Sequence, residues 1–360
     1  MNDPTRHFPD TYREARANFI KAADRAGLDI TTRVHPGAKG PRGRPLFLDV
    51  ARAGERDAPH ALVLISGTHG VEGYFGSAVQ TGLLREGLVE HVPPGTRVLL
   101  IHAFNPFGFA WNRRVNEDNA DLNRNFVQHT KPPRNTAYDT LAPFIAPKDM
   151  APEALKTANG HLRTYAATHG AFALQTAISA GQYHHPDGLY FGGQKESWSA
   201  AMLRDIAIEH LRGVKKMIAI DYHTGLGETG DAEMICEDLP GSPAYARQKK
   251  IWGRYVHSNE GGESLSAPLT GTLDQEFARL FRDCELTFAA LEVGTAPMRD
   301  VFSALRKDNW LHLQKTPDRT VFDAIKREIR AAFYPDTADW KRKVWHHAIE
   351  TLEPALAAIA

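Results

Sequence analysis

The stretch Ala61-Leu-Val-Leu-Ile-Ser-Gly-Thr-His-Gly-Val-Glu-Gly73 decides the fold class. It opens on an unbroken apolar run, the mark of a strand covered on both faces, and stops at Ser66-Gly67. Similar short runs occupy residues 45–50, 97–102, 216–222 and 286–292. Between and after them, helical periodicity predicts helices over 10–26, 73–87, 198–210, 242–257, 303–313, 318–333 and 337–356. Buried strands alternating with amphipathic helices predict an α/β fold with a mixed, largely parallel central sheet flanked by helices. In such sheets chemistry gathers at the carboxyl ends of the strands.

Four of those ends carry polar residues. After the first, His69 and Glu72 stand three apart, a spacing that lets one turn bring an imidazole and a carboxylate toward a borderline metal such as zinc. Glycines at 67, 70 and 73 relax the backbone around them. The pair also has an ordinary reading, as neighbours on a helix face or at a cap. The second end, Ile101-His-Ala-Phe-Asn-Pro106, leads into Trp111-Asn-Arg-Arg-Val-Asn-Glu-Asp-Asn-Ala-Asp-Leu-Asn-Arg-Asn-Phe126. Arginine forks and asparagine amides in that density suit a carboxylate or a developing oxyanion, against a solvated turn with surface ion pairs. The third end carries His223, with Asp221 two residues earlier as the carboxylate that would hold its ring, against a satisfied core histidine. The fourth carries Glu292, whose burial is costly unless it is paired, metal-bound or needed as a base.

Taken in order, His-x-x-Glu, Asn-Pro followed by Asp-Leu-Asn-Arg-Asn-Phe, a strand-end His and a later strand-end Glu resemble the zinc carboxypeptidase superfamily, the M14-like metallopeptidases. That superfamily includes the aspartoacylase and succinylglutamate desuccinylase branch. The wording of the first two motifs is most similar to a bacterial branch described as DUF2817, and the resemblance runs from about residue 45 to 297. It implies one Zn2+ per chain held by His69, Glu72 and His223, with a position left for water. It implies Glu292 as general base and Arg114 at the oxyanion, with Arg113, its neighbour in the same loop, as the rival for that place. Asn123 and Arg124 would grip a substrate carboxylate, and Asp121 would brace the loop.

The implied function is a zinc hydrolase that cleaves a peptide or N-acyl amide bond beside a carboxylate. The alternatives are an N-acyl amino acid deacylase rather than a carboxypeptidase, and a catalytically silent metal-binding protein on the same fold. One departure bears on the choice. Zinc carboxypeptidases carry a mobile tyrosine about twenty residues before the catalytic glutamate, whereas residues 266–272 read Ser-Ala-Pro-Leu-Thr-Gly-Thr and the nearest tyrosine is Tyr255. A separate Gly-, His- and Tyr-rich segment, 181–193, reads as a substrate loop presenting Gln182, Tyr183 or Tyr190, or as a structural turn. Adjacent His184 and His185 would point apart if extended and are not expected as ligands.

Composition narrows the classes further. The 360 residues hold 43 Lys+Arg against 43 Asp+Glu and 42% hydrophobic residues, which suits a folded chain and gives no electrostatic drive toward nucleic acid or anionic membrane. No apolar run approaches the roughly 20 residues that span a bilayer, and residues 1–19 lack an apolar signal region, so a cytoplasmic location is expected. Two cysteines, Cys236 and Cys284, make no disulfide framework and are expected as core thiols. No Gly-x-Ser-x-Gly elbow appears at any strand end, and the Gly67–Gly73 segment lacks the G-x-G-x-x-G spacing. One domain over 1–360 is expected, with an irregular insertion at 128–152 and a helical region at 303–360. Residues 150–180 and the last helix, with Trp340 and Trp345, suit either internal packing or contact with a second copy.

Overall fold

The computed structural model describes residues 3–360. Its strands are β1 (Asp29–Lys39), β2 (Pro45–Ala53), β3 (His60–Ser66), β4 (Thr96–His102), β5 (Lys216–Thr224), β6 (Ala232–Cys236), β7 (Val256–Ser258) and β8 (Glu285–Val293). They form one eight-stranded sheet in the order β1-β2-β4-β3-β5-β8-β6-β7. The central four, β4-β3-β5-β8, run parallel, while β2 joins β4 and β6 joins β8 antiparallel. The sheet is therefore mixed and mostly parallel at its centre, as the apolar runs predict.

Alternation along each central strand divides the core in two. Leu62, Leu64, Ile218 and Ile220 face one layer, and Ala61, Val63, Ile65, Met217 and Ala219 face the other. The first layer packs against the helices Tyr12–Arg25, Gly73–Arg85 and Ala338–Ile359. Trp340 and Trp345 lie buried in it, so the last helix is held inside the chain. The second packs against Trp198–His210 and Leu273–Leu280.

Three strands carry no apolar run that would announce them. β1 is mostly exposed and contains Pro36 and Gly37, tolerable at a sheet edge where one side of the backbone has no ladder to fill. β6 and β7 are five and three residues long. The stretch 242–257 divides accordingly, its helix stopping at Trp252 before β7 begins. The stretch 128–152 holds the helix Thr136–Ile145, started by Asn135, whose side chain accepts from Tyr138 N. Beyond it, Pro152–His169 and Ala171–Ser179 form a helical cover over the carboxyl edge of the sheet. Both cysteines are free, Cys236 buried and Cys284 partly so. Among the described residues no helix is long and apolar enough to cross a membrane.

Candidate metal centre

The parallel register brings the four strand ends to one place. β5 lies between β3 and β8, and His223 stands directly across from Glu292 in the β5–β8 pairing. At the end of β3 the backbone turns through Gly67, whose φ of +74° favours glycine, and then passes so close to the next segment that a Cβ on Gly70 would lie 2.1 Å from the carbonyl carbon of Gly108. Gly70 therefore serves close approach rather than turn flexibility. The neighbouring segment is fixed by Asn105, whose Oδ1 accepts from Gly108 N at 2.8 Å and whose Nδ2 donates to the Arg114 carbonyl. Pro106 follows at the first helical position, which explains the Asn-Pro pair as a helix start.

His69, Glu72 and His223, all buried, meet there. His69 Nδ1 lies 3.1 Å from His223 Nδ1 and 3.1 Å from Glu72 Oε1, and His223 Nδ1 lies 3.2 Å from Glu72 Oε2. Bonds of about 2.0–2.1 Å in a tetrahedral zinc site place ligand atoms roughly 3.3 Å apart, so the three donors fit such an ion. The outer ring nitrogens fit as well. Asp221 Oδ2 is 2.6 Å from His223 Nε2, and because a carboxylate only accepts, the ring proton belongs there and Nδ1 keeps its lone pair. Thr68 Oγ1 donates to the other oxygen of Asp221. Asp121 Oδ1 stands 3.1 Å from His69 Nε2. Three carboxylates around two imidazoles, offset by Arg114 alone in direct contact, make a surrounding that favours a cation. Burial works against the Glu72 carboxylate, but His69, His223 and Arg114 outweigh it and hold its pKa below the ordinary range.

Arg114 and Arg113 diverge. Arg114 donates from Nε to Asp121 (2.9 Å) and from Nη1 to Glu72 (3.1 Å), and Nη2 lies 2.9 Å from His69 Nε2, which places its guanidinium at the donor group. Arg113 points away. Its Nε binds Asp308 at 3.0 Å and its Nη2 binds Asn119 Oδ1, in a buried network that continues to Lys326. The main cavity is lined by Arg114 and not by Arg113, so the substrate contact expected of Arg113 has no geometry behind it. Its charge is held instead by Asp308.

That cavity has a volume of ≈ 820 Å³ and is lined by His69, Arg114, Asn123, Arg124, His223 and Glu292 among others, with the cover helices supplying Leu155, Leu162, Leu174 and Ile178. Glu292 Oε1 accepts from Leu226 N at 2.8 Å, and no cation pairs with it among the described residues. Burial, and then the neighbouring charge of Glu72, push its pKa up to about 8, which His223 only partly reverses. Asn123 and Arg124 reach the cavity with much of their capacity used. Asn123 Oδ1 accepts from Leu273 N, while Arg124 donates to the Ser179 and Asn123 carbonyls, leaving two of its five N–H groups. The other asparagines build the loop. Asn116 Oδ1 accepts from Asp118 N and Ala120 N, and Asn125 ties the loop to Gly192 and Lys195. Tyr255 is elsewhere, bonded to Glu350 and His347.

Two carboxylates outside the four strand ends also line the cavity, Glu237 and Asp274. Glu237 accepts from Thr272 Oγ1 and Gln275 Nε2, while Asp274 has no hydrogen bond or ion pair among the described residues. Burial raises Glu237 to about 7, and burial together with Glu237 and Asp238 raises Asp274 well above its ordinary value. Between the ordinary value and the raised one, the unfolded chain has lost a proton that the folded chain keeps, so this part of the stability is full below about pH 4.5 and falls as pH rises toward 7. Melting curves of wild type and Glu237→Gln between pH 5 and 7.5 should show wild type losing stability relative to the variant. A constant difference would place the Glu237 proton elsewhere.

An α/β protein with a His–Glu–His group at the carboxyl edge of its sheet, opening on a deep cavity, is the class that the fold and site define. The chain belongs to the family described as protein of unknown function DUF2817, whose model matches residues 8–347. No curated protein matches it. Among solved structures it is similar to a metallo-carboxypeptidase from Burkholderia cenocepacia, at 13% identity over 89% of this chain and 68% of that one, with a TM-score of 0.43. Bovine thrombin-activatable fibrinolysis inhibitor matches at 11% identity over 95% and 97%, TM-score 0.45. The succinylglutamate desuccinylase from Chromobacterium violaceum matches at 15% identity over 89% and 74%, TM-score 0.39.

Proposed function

We propose that this protein is a zinc-dependent hydrolase that cleaves an amide bond, peptide or N-acyl, adjacent to a carboxylate. The observation that carries the reading is the convergence of His69 Nδ1, His223 Nδ1 and the Glu72 carboxylate in contacts of 3.1–3.2 Å, with His69 and His223 lining a cavity that also holds Glu292. The metal held by those residues would supply Lewis acidity toward the amide carbonyl and make water a stronger acid. Glu292, directly across the sheet from the donor His223, takes the water's proton and passes it to the leaving nitrogen. Arg114 offsets negative charge developing on the carbonyl oxygen, and Asp121 orients both Arg114 and His69. The two remaining N–H groups of Arg124, with Asn123 beside them, hold the substrate carboxylate.

A silent metal-binding protein would have no use for a buried, cation-free Glu292, which costs stability without a task. Glu237 and Asp274 line the same cavity, where a cationic substrate side chain would displace the proton that burial leaves on them, so basic side chains belong among the compounds tried.

The test is a hydrolysis panel with zinc-loaded protein: a peptide with a free C-terminus, the same peptide amidated, and N-acetylated amino acids with neutral and basic side chains. Cleavage of the free acid but not the amide marks a carboxypeptidase, and cleavage of the N-acetyl compounds a deacylase. If zinc-loaded protein leaves the whole panel intact, the hydrolase reading fails.

A further inference from the structure

The loop 181–193 is clamped onto the arginine- and asparagine-rich loop on both sides of one residue, Tyr190. Before it, the Gly188 carbonyl accepts from Asn119 Nδ2 and Leu189 is buried. After it, the Phe191 carbonyl accepts from Asp121 N at 2.7 Å and the Gly192 carbonyl from Asn125 Nδ2 at 2.7 Å. Between these anchors Tyr190 takes a φ of +53°, a left-handed conformation that an aromatic residue rarely adopts and that persists only where its surroundings impose it. The result is a phenol in the cavity. Tyr190 is the only tyrosine among the described residues lining it. The guanidinium carbons of Arg114 and Arg124 lie 5.3 and 5.9 Å from its ring centroid, so both arginines that line the cavity beside the loop stand against the ring. Its backbone carbonyl accepts from Gln182 N, but its hydroxyl has no hydrogen-bond partner among the described residues. Tyr183, on the same loop, differs in this respect, since its hydroxyl donates to the Arg124 carbonyl.

We infer that Tyr190 is a substrate-binding residue whose phenol O–H donates a hydrogen bond to the carboxylate of the substrate, beside the guanidinium groups of Arg114 and Arg124. The inference rests on the reading of the cavity as one that takes a carboxylate-bearing substrate. It adds a donor from a segment that none of the four strand-end motifs contains. Arg124 has already committed three N–H groups to carbonyls, so a carboxylate held by Arg124 alone would keep acceptor capacity unfilled. A neutral donor beside the two cations fills it without adding charge. Burial keeps the phenol protonated, and the two arginines only partly oppose this, so the hydroxyl is available as a donor at neutral pH.

The test uses the full-length protein and succinate, a carboxylate without an amide bond, with neutral succinamide as control. Calorimetry and the tyrosine difference spectrum are recorded for wild type and Tyr190→Phe, a variant that keeps the ring, its packing and the arginine contacts. The expected result is succinate binding about 10- to 100-fold weaker in Tyr190→Phe, as for a hydrogen bond to a charged group, with the tyrosine absorbance change on binding lost and the melting temperature unchanged. Equal succinate affinity in the two proteins, or no succinate binding by wild type, overturns the assignment. Binding that depends on Tyr190 in a protein that hydrolyses no amide supports the assignment while removing the hydrolase reading, so the two fail separately.

Discussion

Glu292→Gln will lower amide hydrolysis by about 10²- to 10⁴-fold, the range of a positioned proton-transfer group, and leave the metal content of the protein unchanged. The substitution keeps the shape of the side chain and an oxygen able to accept from Leu226 N, the one hydrogen bond the Glu292 side chain makes among the described residues. It removes only the capacity to take a proton. Because Glu292 is not one of the three convergent donors, zinc measured by plasma mass spectrometry should match wild type. The folded protein should tolerate the change well. In metal-free protein a carboxyl group raised to about 8 keeps a proton that the unfolded chain gives up, so wild type loses stability relative to Glu292→Gln as pH rises from about 4.5 toward 8. Activity within tenfold of wild type would remove Glu292 from the mechanism. Lost zinc would instead make it a ligand.

How much of this could be read from the chain differs between strands and loops for a physical reason. β3, β4, β5 and β8 are covered on both faces, so their side chains are apolar almost without interruption, and a polar group at the end of such a run stands out. His69, Glu72, His223 and Glu292 were legible in this way. The pairing of His223 with Asp221 was legible too, because residues two apart share a strand face, and the 2.6 Å contact follows from that geometry. Parallel register then brings together ends that lie up to 223 residues apart, from His69 to Glu292.

Loops carry no such period. Arg113 and Arg114 are neighbours in sequence, and what separates their roles is Asp308, 195 positions away on a C-terminal helix, which draws Arg113 out of reach of the cavity. The asparagines between 112 and 125 looked like ligand contacts because of their density, yet most are spent on turns and on tying loops together. β1 was hidden because an edge strand with exposed faces needs no apolar run. The contact between Asp121 and His69 joins two loops and has no local signal. Tyr190 was one of three named in its loop, and only the fold distinguishes it: Tyr183 turns to a backbone carbonyl, Gln182 holds its own loop, and Tyr190 faces the cavity.

His69→Ala will reduce bound zinc from about one ion per chain to near none, and with it the stabilisation that zinc gives. His69 supplies one of only three convergent protein donors, and two donors do not fix a tetrahedral ion against competition from water. Zinc in 1,000-fold excess over its dissociation constant stabilises a folded protein by about 4 kcal/mol through mass action. Chelation should therefore lower the melting temperature of wild type and leave His69→Ala unmoved. Asp221→Ala separates ligation from positioning. It keeps all three donors and removes the carboxylate that holds the proton of His223 on Nε2, so zinc affinity should fall about 10- to 100-fold without being abolished. The order wild type, Asp221→Ala, His69→Ala in zinc affinity is the expected one. Zinc retained by His69→Ala at wild-type affinity, or absent from wild type after reconstitution, would mean that His69 Nδ1, His223 Nδ1 and the two oxygens of the Glu72 carboxylate, in contacts of 3.1–3.2 Å, hold a proton between them and no metal.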